Sequence, residues 1–303
     1  MENLKIVLMN GGLGNQLYQY TFLRFLEVYT GENCLVDDSD FWDNCVEYNG
    51  LELEKIFNVR LNKLSNFFSS DVWEEMIRQK QNGISIPQQL QDNGLNIVMV
   101  AESNTYNFAG NVIQVTSNNI NNEVLKVFLN AKGNIYYLGY FANTIYVNLM
   151  LKTLRQELRF PALRDTMEKS TINKRYEELI HLTDSVAVYI RRGDCLKRGQ
   201  SLLPEKYAKE IRKFEEREKE YTYFIFSDDM EWCKQNKKEL GLLDIKGDFI
   251  FVEENMRNGN NYVDMQLMSY CKNMIISNSS FGCWAYYLNS YCGEGNVIMA
   301  DHL

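Results

Sequence analysis

A glycine-rich segment near the N-terminus has residue types that can approach a phosphate. It reads Gly11-Gly12-Leu13-Gly14-Asn15-Gln16 and lies between a short apolar run and a helical pattern. Glycine lets the backbone turn sharply, and the free N–H groups at a helix start attract anions. Gly12 and Gly14 fit the start of a GxGxxG fingerprint, but Leu17 occupies its third glycine position, which argues against NAD. The segment predicts contact with a phosphate-containing ligand, with a tight structural turn as the alternative.

A second candidate site follows the predicted strand Ser185 to Arg191, where Arg191, Arg192 and Asp194 stand close together. In open parallel sheets, ligands bind outside the carboxyl ends of the strands. Strand alternation directs Tyr189 and Arg191 to the same face of the sheet. A planar guanidinium at this edge can form paired hydrogen bonds to a diphosphate. Arg191 is therefore predicted to bind one, and the alternative for Arg192 and Asp194 is an ion pair that braces the turn.

Two further predicted strands end in small polar residues. Ser227 and Asp228 follow one of them, and a carboxylate there suits ribose hydroxyls or the N–H edge of guanine. The segment Asn278 to Phe281 follows the other and opens a helix, where backbone N–H groups and serine hydroxyls can hold phosphate oxygens. Helix capping alone is the alternative for both segments.

The sequence offers weaker evidence for a metal site, a catalytic nucleophile or disulfide bonds than for a phosphate site. Asp38 and Asp40 form a short acidic cluster that can hold Mg²⁺ or Mn²⁺ against a diphosphate, although such clusters are frequent in loops. The only histidines are His181 and His302, both expected to be surface residues, so a catalytic Ser–His–Asp relay is not indicated. Seven cysteines include no CxxC pair, which indicates neither a disulfide framework nor a zinc site.

Composition sets the class of protein. The chain has 303 residues, 45% hydrophobic and 24% charged, which is typical of globular proteins and sufficient for two domains. A net charge of −8 argues against general nucleic-acid binding. No apolar run reaches the length of a membrane span, and the start of the sequence lacks a signal-peptide pattern. We expect a cytoplasmic protein with at most peripheral association with the inner face of a membrane.

The elements that must position these residues alternate between strands and helices. The strand, glycine loop, helix and strand at the start, and five strands with intervening helices in the second half, predict an α/β fold with doubly wound parallel sheets. A helix is predicted over Asp229 to Leu240, and His181 is placed in a connector before a strand. Leu154 to Pro161 is the predicted crossover between the halves. Residues from about 60 to 130 show no decisive pattern.

Together, these motifs resemble the bacterial α-1,2-fucosyltransferases of glycosyltransferase family 11. Gly11 to Tyr20 is similar to the family's GGLGNQ(M/L)xQY stretch, and Tyr189 to Asp194 is similar to its HxRRGD motif. Ile225 to Asp229 resembles its FSDD stretch, while Asp264 to Ser269 and Asn278 to Phe281 resemble its DxxLMS…NSSF segment. The match spans nearly the whole chain in the expected order, which is far more specific than any single motif.

The resemblance implies a GT-B-like fold of two Rossmann-like domains with mainly parallel sheets. Residues 1–158 would form the acceptor-side domain and residues 159–303 the domain that binds GDP-fucose. The implied reaction is an inverting, metal-independent transfer of L-fucose to a galactoside hydroxyl, forming an α-1,2 linkage on an oligosaccharide with terminal galactose. Assembly of a surface polysaccharide or O-antigen is the pathway suggested by analogy.

The resemblance also assigns roles to residues. Arg191 would stabilise the leaving diphosphate, and the candidates for a base are Asp194, Asp38 and Glu27, none of which the sequence singles out. The implied donor-binding residues are Gly12, Leu13, Gly14, Asn15, Gln16, Arg191, Ser227, Asp228, Asn278, Ser279, Ser280 and Phe281.

Two departures from the family pattern keep alternatives open. Tyr189 stands where the family has histidine, and Gly282-Cys283-Trp284 replaces its usual SWW. A catalytically weak or silent GDP-sugar-binding protein is therefore one alternative. A metal-dependent transferase that uses Asp38 and Asp40 is another, and a related fucosyltransferase that makes a different linkage is a third.

Overall fold

The chain forms two units, each built on its own parallel sheet. The computed structural model describes residues 3–42, 49–102, 112–115, 122–163, 168–253, 255, 260–291 and 297–299. The units comprise Met1–Arg159 and Phe160–Leu303. Each contains a five-stranded sheet in which every described pairing is parallel. The predicted α/β class, with two Rossmann-like domains and mainly parallel sheets, is confirmed.

The sheet of the first unit has the strand order β2-β1-β5-β3-β4. Its first two strands are short apolar runs that are buried throughout, as expected for a parallel sheet covered on both faces. The strands are β1 Lys5–Leu8, β2 Cys34–Asp37, β3 Ile97–Glu102, β4 Val112–Val115 and β5 Asn134–Leu138.

Six described helices accompany this sheet. They are α1 Leu13–Thr30, α2 Leu53–Phe57, α3 Ser70–Gln81, α4 Ile86–Asp92, α5 Asn122–Asn130 and α6 Thr144–Glu157. Two 3-10 turns, Ser39–Phe41 and Leu64–Phe67, lie between them. The region that gave no decisive sequence pattern therefore contains α3 and α4. In α3 the buried residues Trp73, Met76 and Ile77 do follow helical spacing.

An aromatic cluster fixes α1 against the sheet. The ring of Phe22 stacks on Phe141 at 3.8 Å and meets the edges of Tyr137 and Tyr146 at 5.3 and 5.2 Å. Aromatic contacts of this kind add to the free energy gained from burial. Because α1 is held along its length, its N-terminus and the glycine-rich loop before it stay at the carboxyl end of β1.

The second unit has the strand order β10-β9-β6-β7-β8. The strands are β6 Ser185–Ile190, β7 Thr222–Ser227, β8 Asp248–Phe251, β9 Asn273–Ile276 and β10 Val297–Met299. The helices are α7 Glu168–Leu182, α8 Gly193–Lys197, α9 Pro204–Glu215, α10 Met230–Gln235, α11 Tyr262–Tyr270 and α12 Ser280–Tyr287. Strand β6 lies at the centre, so its carboxyl end has β7 on one side and β9 on the other.

Two local predictions in this unit were wrong. The helix predicted to reach Leu240 ends at Gln235, and turns continue to Gly241, whose φ of 75° requires the left-handed region. His181 lies in the last turn of α7, with its ring 5.6 Å from that of Tyr270, rather than in a connector. His302 lies outside the described residues.

The described cysteines and helices add two observations. Cys34, Cys195, Cys233, Cys271 and Cys283 are free thiols, whereas Cys45 and Cys292 fall outside the described residues. None of the helices in the described ranges is both long and apolar enough to span a bilayer.

A buried carboxylate joins three segments of the second unit. Asp264 in α11 accepts a hydrogen bond from Asn255 Nδ2 at 2.8 Å. Asn255 in turn exchanges two amide hydrogen bonds with Asn173 of α7, at 2.9 and 3.0 Å. Burial raises the pKa of Asp264 to about 7, although the hydrogen bond from Asn255 acts in the opposite direction. The folded chain therefore holds a proton on Asp264 that the unfolded chain loses at lower pH.

We expect the free energy of unfolding of Asp264→Asn to depend less on pH between about pH 4 and pH 7 than that of the wild type. Because folding raises the pKa of Asp264, its contribution is fully present below about pH 4 and is lost as the pH rises through about pH 7. Asparagine stays neutral and keeps an acceptor for Asn255. The free energy of unfolding of the variant, measured in urea, should improve relative to the wild type across that window. A difference that does not change with pH would contradict the buried, proton-binding carboxylate.

Candidate active site

Three strand ends that carry polar motifs meet at one edge of the second sheet. Strands β7 and β9 both pair with β6, and the register places Ile190 opposite Ser227 and Tyr189 opposite Ile276. Because all three strands are parallel, the residues that follow them leave the sheet side by side. The segments 191–194, 228–229 and 277–281 therefore share this carboxyl edge, where open α/β sheets bind their ligands.

Asp228 connects the ends of β6 and β7 at this edge through two contacts. Its side chain is only 7% exposed, and its Oδ2 atom forms an ion pair with Arg191 Nη1 at 2.7 Å. Its Oδ1 atom accepts the backbone N–H of Arg192 at 2.8 Å. Asp194 contacts the other side of the Arg191 guanidinium, with Nη2 to Oδ1 at 2.5 Å. Arg191 is thus held in one orientation by two carboxylates.

The environment keeps Arg191 charged. Burial acts to lower its pKa, but the pKa lies above its ordinary value, because the carboxylates of Asp228 and Asp194 favour the charged guanidinium. The turn after β6 also requires a residue without a side chain. A Cβ atom on Gly193 would lie 2.4 Å from Asp228 Oδ2 and would push the carboxylate away from Arg191.

Arg192 is directed to other partners. Its Nε atom lies 3.1 Å from Asp229 Oδ2, and its guanidinium lies 3.6 Å from the centre of the Trp232 ring, a cation–π contact. The ion pair considered between Arg192 and Asp194 is therefore wrong, since Asp194 binds Arg191 and Arg198 instead. No sequence pattern indicates that Arg192 stacks on Trp232.

Ser227 and Asp229 have local structural roles. Ser227 Oγ is buried and accepts the backbone N–H of Asp229 at 3.0 Å. Asp229 caps α10 by accepting the N–H of Trp232 at 3.3 Å. The nucleoside contacts suggested for Ser227 and Asp228 remain predictions, because both side chains are committed to protein groups in this structure.

The start of α12 adds hydrogen-bond donors to the same edge. Ser279 is the N-cap residue, with extended backbone angles, and Ser280 and Phe281 form the first turn. The first helical bond runs from the N–H of Cys283 to the carbonyl of Ser279 at 3.0 Å. The N–H groups before it have no acceptor within the helix, and they form the positive end of its dipole. Asn278 lies just before this turn, and its amide donates to the carbonyl of Gln200 at 3.4 Å.

A buried side chain, that of Gln16, holds the glycine-rich loop of the first unit. The amide of Gln16 is fully buried, donates to the carbonyls of Gly11 and Gly50, both at 2.9 Å, and accepts the N–H of Glu52 at 2.9 Å. Gln16 therefore supports the loop. The remaining members of the segment differ in exposure: Leu13 and Gly14 are buried, and Gly12 and Asn15 are half-buried.

The acidic cluster Asp38 and Asp40 is also committed to protein groups. Asp38 Oδ2 accepts from Trp42 Nε1 and from Ser65 Oγ, both at 2.8 Å, and Asp40 forms an ion pair with Lys80. In the part of the chain that the structure describes, no three His, Cys, Asp or Glu side chains are grouped to hold a metal ion. The donor set at Asp38 and Asp40 thus does not fit a metal site well.

Glu27 is wrong as a candidate base. It lies near the C-terminal end of α1, about 20 Å along the helix from the glycine-rich loop at 1.5 Å per residue. It accepts the N–H of Cys34, the first residue of β2, at 3.1 Å, so it faces the amino edge of the sheet.

A cleft of about 810 Å³ opens at this amino edge of the first unit. It is lined by Arg24, Arg60, Glu27 and Glu157 together with several asparagines. Arg24 is paired with both glutamates. Two cations and two anions leave the lining without net positive charge. The charge of the cleft therefore does not favour a diphosphate.

Two parallel α/β units with a fixed cation and a helix start at a strand edge are the arrangement of a GT-B-like glycosyltransferase. The chain belongs to glycosyl transferase family 11, whose model matches residues 5–301. It is accordingly a glycosyltransferase.

The chain is similar to two proteins in sequence and to one solved structure in fold. It is 27% identical over 297 residues to the α-1,2-colitosyltransferase of Escherichia coli, covering 95% of this chain and 89% of the relative. It is 29% identical over 126 residues to galactoside α-(1,2)-fucosyltransferase 1 of Ateles belzebuth, covering 38% and 31%. Among solved structures, the Bradyrhizobium NodZ α-1,6-fucosyltransferase soaked with GDP-fucose is similar in fold, with a TM-score of 0.52, 14% identity and coverage of 94% and 92%.

We expect Asp228→Asn to destabilise the second unit. The substitution keeps an acceptor for the N–H of Arg192 but removes the charge that faces Arg191, and hydrogen bonds to charged groups contribute about 1.5–3 kcal/mol. The free energy of unfolding, measured in urea, should fall by about 1–3 kcal/mol. Asp229→Asn is the matched control, because its side chain is 36% exposed and asparagine also caps helices; it should cost less than about 1 kcal/mol. Equal losses in the two variants would contradict the central role of Asp228.

Proposed function

We propose that this glycosyltransferase moves L-fucose from GDP-fucose to a galactoside hydroxyl. The acceptor is an oligosaccharide with terminal galactose, the linkage is α-1,2, the anomeric carbon is inverted, and no metal is required. The observation that carries this proposal is the guanidinium of Arg191, held between Asp228 and Asp194 at the edge where α12 begins. A fixed cation beside free helix N–H groups suits the diphosphate of a nucleotide sugar.

The reaction requires charge stabilisation on the leaving group. The bond between the fucose anomeric carbon and the diphosphate oxygen breaks, and the electron pair stays on GDP. The acceptor oxygen forms the new bond from the opposite face. Arg191 and the N–H groups at Ser280 and Phe281 are fixed in advance, so they stabilise the growing charge without reorganisation. This is the task that a metal ion performs in other transferases.

The acceptor hydroxyl must also release a proton. Asp194 is our candidate to receive it, because it is partly exposed, at 34%, and contacts Arg191, whereas Asp228 is buried. Asp229 is exposed to a similar extent, but it caps α10 and pairs with Arg192. The oxygens of Asp194 are paired with Arg191 and, at 3.4 Å, with Arg198. A loose transition state makes only a modest demand on the strength of the base.

The primary test is GDP release from GDP-fucose in EDTA, with and without β-galactosides such as lactose. We expect release that depends on the acceptor and is unaffected by EDTA, and a product with an α-1,2 linkage by NMR. Restoration of activity only by Mn²⁺ would instead support the metal-dependent alternative with Asp38 and Asp40. GDP binding without release for any acceptor would support a silent binding protein.

A second donor is favoured by one comparison, the similarity to an α-1,2-colitosyltransferase over nearly the whole chain. Colitose is L-fucose without the hydroxyl at carbon 3, so both GDP-sugars present the same diphosphate to Arg191. The ratio of kcat/KM for GDP-fucose and GDP-colitose decides between them. A site that hydrogen-bonds the hydroxyl at carbon 3 rejects the deoxy sugar strongly, whereas a site that only leaves room for it discriminates weakly.

We expect Arg191→Ala to lower kcat by about 100-fold or more, since one preorganised donor is worth about 2.7–4 kcal/mol of barrier. Arg198→Ala is the matched control: Arg198 also contacts Asp194, but its side chain is 60% exposed and is not part of the proposed donor contact. Its turnover should stay within about threefold of the wild type. Unchanged turnover of a folded Arg191→Ala protein would remove Arg191 from the mechanism.

A further inference from the structure

The ring of Tyr189 lies beneath the first turn of α12. Tyr189 is 4% exposed, and its ring centre is 5.6 Å from that of Phe281. Its backbone carbonyl accepts the N–H of Ser277 at 3.2 Å, which ties the end of β6 to the segment that leads into α12. Tyr189 therefore contacts the helix start from the strand that also carries Arg191.

Gly282 makes room for this ring. A Cβ atom at position 282 would lie 2.9 Å from Cδ1 of Tyr189, closer than packed carbon atoms approach, and 3.4 Å from Cβ of Ile276. Gly282 lies inside α12 and does not have a positive φ, so its backbone does not demand glycine. Glycine inside a helix costs about 1 kcal/mol relative to alanine. The space taken by Tyr189 is thus the physical reason for glycine here.

The hydroxyl of Tyr189 is directed to the N-cap of α12. It interacts with the side chain of Ser279, and Ser279 does not cap its own helix through its side chain. Burial raises the pKa of Tyr189, while Arg191 and Ser279 act to lower it, so the hydroxyl remains protonated. The ring and the hydroxyl of Tyr189 therefore both face the start of α12.

We propose that Tyr189 and Gly282 form a matched pair that positions the first turn of α12 against Arg191, and that Tyr189 is thereby a positioning residue for the diphosphate of the donor. The inference rests on the proposed function in one respect, namely that the ligand of this edge is a GDP-sugar. The pair acts through Ser279 and Phe281, the two residues of that turn that Tyr189 meets.

The pair changes how two departures from the family pattern are interpreted. Tyrosine at position 189 and glycine at position 282 are in contact, because the Cδ1 atom of Tyr189 occupies the space that a Cβ atom at position 282 would need. The two departures therefore belong to one packing arrangement.

The hydroxyl is tested with Tyr189→Phe, which keeps the ring. We expect the dissociation constant for GDP, measured by calorimetry, to rise about 3- to 10-fold, as loss of one hydrogen bond predicts. Tyr223→Phe is the matched control, since Tyr223 is a buried tyrosine of the neighbouring strand whose hydroxyl bonds Glu215 near the other end of the sheet. Its GDP binding should stay within about twofold. GDP binding by Tyr189→Phe that equals the wild type would overturn the positioning role.

The steric pairing is tested with a double-mutant cycle of Gly282→Ala and Tyr189→Val, since valine suits a strand and has no δ atom. In the wild-type background, Gly282→Ala should weaken GDP binding about 10-fold or more and lower Tm, because the methyl group overlaps the Tyr189 ring. In the Tyr189→Val background no ring atom remains at the Cδ1 position, and the same substitution should change either quantity little. Equal penalties in both backgrounds would overturn the pairing.

The two measurements separate the inference from the proposed function. Absence of GDP binding by the wild type would sink the proposed function and the positioning role, while the Tm values of the four proteins would still show whether positions 189 and 282 are coupled. Coupled Tm values, with intact GDP binding in every variant, would confine the pair to packing and overturn the positioning role alone.

Discussion

The candidate site depends on the single carboxylate of Asp228. One of its oxygens holds the guanidinium of Arg191, and the other holds the backbone of the next residue. The same group therefore fixes both the charge and the turn that carries the charge. Without it, an arginine that is largely removed from water would lose its compensation, and the turn after β6 would lose its anchor. Gly193 exists beside it because no larger residue leaves space for that carboxylate.

The sheet order makes this interaction available. Asp228 follows β7 and Arg191 follows β6, and these strands are neighbours with Ile190 opposite Ser227. The next strand on the other side of β6 is β9, which delivers the start of α12 to the same edge. A cation from the central strand is thus flanked by an anion from one neighbour and helix N–H groups from the other. The parallel sheet brings the three strand ends together, and the short segments that follow β6, β7 and β9 carry the polar groups.

Local sequence patterns predicted the strands of this arrangement and the polar residues that follow them. Continuous apolar runs such as Ser185–Ile190 identify buried parallel strands, and polar residues after them identify the ligand edge. The partner of each charged side chain could not be predicted from local patterns. Asp228 and Arg192, for example, are 36 positions apart, and only the strand register brings them together. The mistaken pairing of Arg192 with Asp194, rather than with Asp229, has this origin. Gln16 shows the same limit: its residue type suits ligand contact, yet its partners Gly50 and Glu52 come from a distant loop and turn it inward.

In the proposed function, the contacts at the described edge suit a diphosphate and do not select a particular sugar. Arg191 and the start of α12 match phosphate oxygens, which every GDP-sugar presents in the same way, and nothing in that match depends on a hydroxyl of the transferred sugar. Members of one family can therefore share this edge and differ in donor, as fucose and colitose differ by one hydroxyl. Selection between them must come from polar groups placed beyond the diphosphate, where an unpaired partner for a missing hydroxyl would carry a large penalty. The conformation of the first turn of α12 bears on that choice, because Phe281 extends from it and its position is set by the packing of Tyr189.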